Sequence, residues 1–75
     1  MQTENRNIET VTVEETVRIL RDCGMNISRE TLGAGLQSGV FPFGIHTKGP
    51  KGGNVYWVFK RQLDEWIDAR ATAQN

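Results

Sequence analysis

Apolar positions along the chain recur in two rhythms. Val13, Val17 and Leu20 fall at i, i+4 and i+7, with Ile19 flanking them, and predict an amphipathic helix over about 13–22. Thr12-Val13-Glu14-Glu15 has the form of a capping box, which fixes its start, and Gly24 is a natural stop. Ser28-Arg29-Glu30-Thr31 opens a second helix with a serine N-cap and an acid in the first turn. Leu32 and Leu36, four apart, face its core side. Gly39 ends it and Pro42 keeps it from resuming. The rhythm then changes: Phe43-Gly44-Ile45-His46-Thr47 and Val55-Tyr56-Trp57-Val58-Phe59 read as two short strands. Every residue of the second is apolar or aromatic, so periodicity does not fix its buried face. Phe59, Leu63, Trp66, Ile67 and Arg70 mark a last amphipathic helix over about 60–71, with Asp64, Glu65 and Asp68 on its wet side. Residues 1–11 read as a flexible N-terminal arm and 72–75 as a frayed tail.

The order helix, helix, strand, strand, helix describes one α+β domain over 12–71. Between the strands, Lys48-Gly-Pro-Lys51-Gly-Gly-Asn54 is a flexible, basic hairpin tip. Glycines let the backbone approach another surface, and lysines favour an anionic one. After two short helices, such a tip suggests the two-stranded antiparallel wing of a small winged helix-turn-helix domain. Nothing repeats and no segment is of low complexity.

Charge sharpens this picture. The 75 residues carry nine basic and nine acidic side chains and a net charge of zero. Residues 1–23 set three arginines against five carboxylates. Residues 24–61 set five cations against Glu30 alone, a net of +4, and residues 62–75 return to −2. A basic centre suits a nucleic acid, while overall neutrality argues against tight non-specific binding by a lone monomer. The polar N-terminus lacks a signal peptide's apolar region and the single Cys23 cannot form an internal disulfide, so the expected location is cytoplasmic. No stretch is apolar enough to be a transmembrane helix.

Thr12-Val13-Glu14-Glu15, Ile27-Ser28-Arg29-Glu30-Thr31-Leu32, Gly39-Val40-Phe41-Pro42 and Val58-Phe59-Lys60-Arg61-Gln62-Leu63-Asp64-Glu65-Trp66-Ile67 follow one another in an order with a known likeness. The chain resembles the excisionase-like, MerR-type winged helix-turn-helix proteins of phages and mobile elements over about 12–70. The resemblance implies a DNA-binding protein without enzyme activity or cofactor. It would act as a recombination directionality factor or a small phage-type transcription regulator. Its partners would be double-stranded DNA and either an integrase (recombinase) or a second copy of itself, with no membrane and no small-molecule substrate.

The resemblance also places the second helix in the major groove, with Ser28, Arg29, Thr31, Ala34, Gln37 and Ser38 on or near that surface. Arg29 can meet guanine or a phosphate, Thr31 a phosphate or a thymine methyl, and Gln37 adenine; the bland alternative is a solvated helix face. Glu30 reads better as first-turn dipole support than as a cytosine reader. Lys48 and Lys51 suit phosphate or minor-groove contact, against a loop kept soluble by lysines. Lys60 and Arg61 begin the last helix, where they oppose its dipole and make a phosphate partner more attractive. His46 can add a contact, though an isolated half-exposed histidine is more often neutral. Gly33, Ala34 and Gly35 thin the second helix, either to pack closely on the first or to approach a DNA backbone. Tyr56, Trp57, Phe59 and Trp66 can stack on single-stranded bases, but so small a domain needs its aromatics inside.

Other chemistries lack their residues. One histidine and one cysteine far apart make neither a metal nor a nucleophile site. In the stretch from Gly44 to Lys51, Gly49 is followed by Pro50, not by the Gly-Lys-Ser/Thr order of a phosphate loop. A second reading is a protein-interaction module on the same fold, meeting a partner through apolar area around Val40, Phe41 and Tyr56.

Overall fold

Thr12 caps the first helix as its sequence demands: its Oγ1 accepts the Glu15 amide at 3.0 Å. In the computed structural model, which describes residues 6–71, the helix α1 runs Val13–Asp22, α2 Arg29–Ser38 and α3 Lys60–Arg70. The strands are β1 (Thr10–Val11), β2 (Gly44–Lys48) and β3 (Asn54–Phe59). The expected tail at 72–75 and the first five residues of the expected arm lie outside the described residues. The result is a small α+β domain of three helices and one three-stranded antiparallel sheet, compatible with a winged helix.

The third strand corrects the two-stranded expectation. Strand order is β1-β3-β2, with Thr10 opposite Phe59 and Val11 opposite Val58. Two residues are too few for alternation to be read, so this strand was hidden in what the sequence presents as an arm. The Glu9 carbonyl extends the attachment by accepting the Lys60 amide at 3.0 Å.

Both α1 and α2 end in the same way. Past α1, the Met25 amide returns to the Leu20 carbonyl and the Gly24 amide to Arg21. Past α2, Val40 returns to Gly35 and Gly39 to Leu36, and Gly39 takes φ +81°, which a side chain would strain. Between them, Arg21 Nε donates to the Ile27 carbonyl at 2.9 Å and fixes the turn into α2.

The core consists of Leu20, Ile27, Leu32, Leu36, Phe43, Val58 and Leu63, drawn from α1, α2, β3, α3 and the loops between them. Thr16 is buried among them, its hydroxyl donating to the Thr12 carbonyl at 2.7 Å. Phe43 stacks on Phe41 at 5.3 Å and meets Trp66 edge-on at 5.2 Å. These rings tie α3 to the segment after α2.

Alternation along the hairpin decides the aromatic question that periodicity left open. Val58, Tyr56, His46 and Gly44 share the face toward the helices, whereas Trp57 stands opposite Ile45 on the other face. Trp57 is 43% exposed and Ile45 50%, so the expectation that Trp57 packs in the core fails: helices cover only one face of the sheet. Tyr56, Phe59 and Trp66 are partly buried, as expected.

The thinned middle of α2 makes room for two rings that the sequence did not point to. A Cβ at Gly35 would run into the Phe41 ring, and one at Gly33 would lie 3.1 Å from the Tyr56 hydroxyl. The glycines admit aromatic rings from beyond the helix rather than α1.

Candidate nucleic-acid interface

The exposed side of α2 and the helix-facing side of the hairpin adjoin. Gln37 Nε2, in the last turn of α2, donates to the Tyr56 hydroxyl oxygen at 2.6 Å. The Tyr56 ring lies 5.2 Å from the His46 ring, and His46 Nε2 pairs with Asn54 Oδ1 at 3.0 Å. Asn54 is the register partner of Lys48 at the base of the tip. A polar path therefore runs from α2 to the tip without leaving one face. An open depression lined by Val13, Arg29, Glu30, Gly33, Ala34, Gln37 and Tyr56 sits at its α2 end.

Each residue singled out in the sequence has a definite place. Ser28 is the α2 N-cap: its Oγ accepts the Thr31 amide at 3.1 Å and donates to Thr31 Oγ1 at 3.0 Å. Arg29 is exposed and pairs with Glu14 of α1 at 2.9 Å. Ala34 and Gln37 are exposed on the same helix, and Ser38 turns its hydroxyl back to the Gly35 carbonyl at 3.2 Å. Lys48 and Lys51 are exposed at the tip. There the Gly52 amide donates to the Gly49 carbonyl at 3.0 Å and the Gly49 amide to the Gly53 carbonyl at 2.7 Å. The tip expected to be flexible is a tight turn with Pro50 at its first central position.

Lys60 and Arg61 are not brought to this face by contact. They follow the far end of β3, six residues from Asn54, or roughly 20 Å of extended chain. Each has an acid one turn on: Lys60 Nζ meets Asp64 at 2.7 Å and Arg61 Nε meets Glu65 at 3.6 Å. The Asp64 hydrogen bond raises the Lys60 pKa above the ordinary lysine value, keeping its charge but occupying it locally.

No family model, curated protein or solved structure matches this chain. The site must therefore be judged on its own chemistry. Among the described residues no group of histidine, cysteine and carboxylate side chains could hold a metal ion, and Cys23 is exposed and unpaired with another cysteine. No described helix is long and apolar enough to cross a membrane.

What the arrangement offers is a helix and a hairpin on one surface, carrying hydrogen-bonding side chains in the middle and cations at both ends. Sequence reasoning set His46 aside as neutral, placed Tyr56 with the core rings and gave Asn54 no role of its own. The available signal was the parity of β2: His46 and Lys48 lie two apart, so a strand puts both on one face. The all-apolar run of β3 concealed the matching parity of Tyr56.

Proposed function

We propose that this chain is a sequence-preferring double-stranded DNA-binding protein, with α2 in a major groove and the tip against the neighbouring backbone or minor groove. The observation that carries the reading is the contact path Gln37–Tyr56–His46–Asn54, which makes one surface of helix and hairpin. An exposed helix face suits the major groove, and cations beside it suit phosphates. The motif order of the sequence adds the biological role: an excisionase-like factor that positions a recombinase by shaping DNA, or a small phage-type regulator. Neither role needs chemistry from the protein.

The test is fluorescence anisotropy with a labelled duplex from the region upstream of its own coding sequence, at two salt concentrations. Native protein binds, more weakly at high salt, and the Arg29→Ala, Lys51→Glu double variant loses most of that affinity. Absence of salt-dependent binding to any duplex tried refutes the reading.

A protein-interaction module is the second reading, favoured by the exposed Ile45–Trp57 pair and by Val40, 68% exposed. The Ile45→Ser, Trp57→Ser variant then loses self-association or partner capture while keeping its fold. A monomeric mass together with no captured partner counts against it.

A further inference from the structure

The bond between Gln37 and Tyr56 uses one of the two N–H groups of the glutamine amide. Its second N–H and its Oε1 have no partner among the described residues and belong to an exposed side chain. The tyrosine hydroxyl reaches this position because α2 has no side chain at Gly33, four residues before Gln37 and on the same helix face. His46 lies against the tyrosine ring and is itself tied to Asn54. A long, otherwise free side chain is thus anchored before any ligand arrives. Anchoring removes rotamer freedom that binding would otherwise have to remove.

One donor and one acceptor in a single amide plane match one base edge. In the major groove adenine presents the N7 acceptor beside the N6 amino donor. Guanine presents two acceptors there, N7 and O6, so Oε1 would face an oxygen. Thymine offers an acceptor and a methyl group, and cytosine a donor without the acceptor. We infer that Gln37 reads adenine through its second N–H and Oε1, that Tyr56 is the positioning residue for this readout, and that Gly33 is the gap that admits Tyr56. The inference rests on the double-stranded DNA reading above and deepens it.

The experiment is selection of bound duplexes from a fully randomised pool, followed by sequencing. It compares native protein with Gln37→Ala, Gln37→Glu, Tyr56→Phe and Gly33→Ala, each checked for its fold by circular dichroism. Native protein selects a motif with one adenine favoured roughly 10-fold, the scale of a bidentate base contact. Gln37→Ala flattens that position alone. Gln37→Glu moves its preference toward cytosine, whose amino group a carboxylate accepts. Tyr56→Phe and Gly33→Ala weaken the adenine preference several-fold more than they weaken affinity for an unselected duplex, because phosphate contacts are separate from base readout. Tyr56→Phe keeps the ring, and Gln37 is on the surface, so loss of fold does not confuse the result. If native protein binds no duplex, the DNA reading falls and this inference with it. If it binds but all variants return the same motif, or the Gln37-dependent position is not adenine, the inference alone falls.

Discussion

Arg29 holds its guanidinium 2.9 Å from Glu14, and both side chains are largely exposed, at 66% and 62%. An ion pair so open to water adds little to stability, about 0–1 kcal/mol. On the proposed DNA reading its larger consequence is competition, because a phosphate would have to take Arg29 from Glu14. Glu14→Gln is therefore expected to raise duplex affinity by a few-fold, while thermal unfolding changes little; unchanged or weaker binding in anisotropy would exclude Arg29 from the contact. Gly35 makes a different point. In an open helix Gly→Ala gains about 1 kcal/mol. Here the new Cβ meets the Phe41 ring, and overpacking costs roughly 1–3 kcal/mol. Gly35→Ala should thus destabilise by about 1 kcal/mol in urea melts. A stabilised variant would show that Phe41 yields its place easily.

At the scale of elements, legibility followed the length of each pattern. Helices α1 and α2 were readable because caps and apolar spacing agree, with Thr12, Ser28 and Gly39 acting where the sequence puts them, and α3, which has no side-chain cap, was readable from its spacing alone. Strands β2 and β3 were readable as strands, but the faces of β3 were not, since apolar residues occupy both. The two-residue β1 was beyond reach of any period. The proposed interface was half legible. Arg29, Gln37, Lys48 and Lys51 follow from residue type and position, whereas Tyr56 joins it only through a contact 19 positions away in sequence. β1 also carries a prediction. Thr10 and Val11 pair with Phe59 and Val58, and Val11 packs on the core. Removing residues 1–8 spares both β1 and the Glu9–Lys60 backbone bond, so that truncation is the reference for a deeper one. Removing residues 1–11 also strips a strand and lowers stability by about 1–3 kcal/mol, given the loss of the half-buried Val11 side chain and of ladder bonds. Equal midpoints for the two truncations would mean that β1 contributes nothing.

Over the whole molecule the charge is zero, yet its distribution is not even: the tip is basic, and α1 and α3 carry acids. A protein of zero net charge gains little from long-range attraction to DNA, so on the proposed reading its affinity would come from a few local cations. Arg29, Lys48 and Lys51 are the exposed cations of the α2–hairpin face. Three phosphate contacts correspond to a slope of about −2.7 in log K against log salt, shallow for a DNA-binding protein. Lys51→Ala should reduce that slope by about one, since it removes one contact. Lys60→Ala and Arg61→Ala should leave it unchanged, because Asp64 and Glu65 already engage those charges at the far end of β3. A salt titration of the four proteins by anisotropy decides the matter. If Lys60→Ala or Arg61→Ala flattens the slope as Lys51→Ala does, the DNA path extends past the hairpin to the start of α3. If none of the three changes it, Lys51 is not a phosphate contact, and the weight of binding lies on Lys48 or on α2.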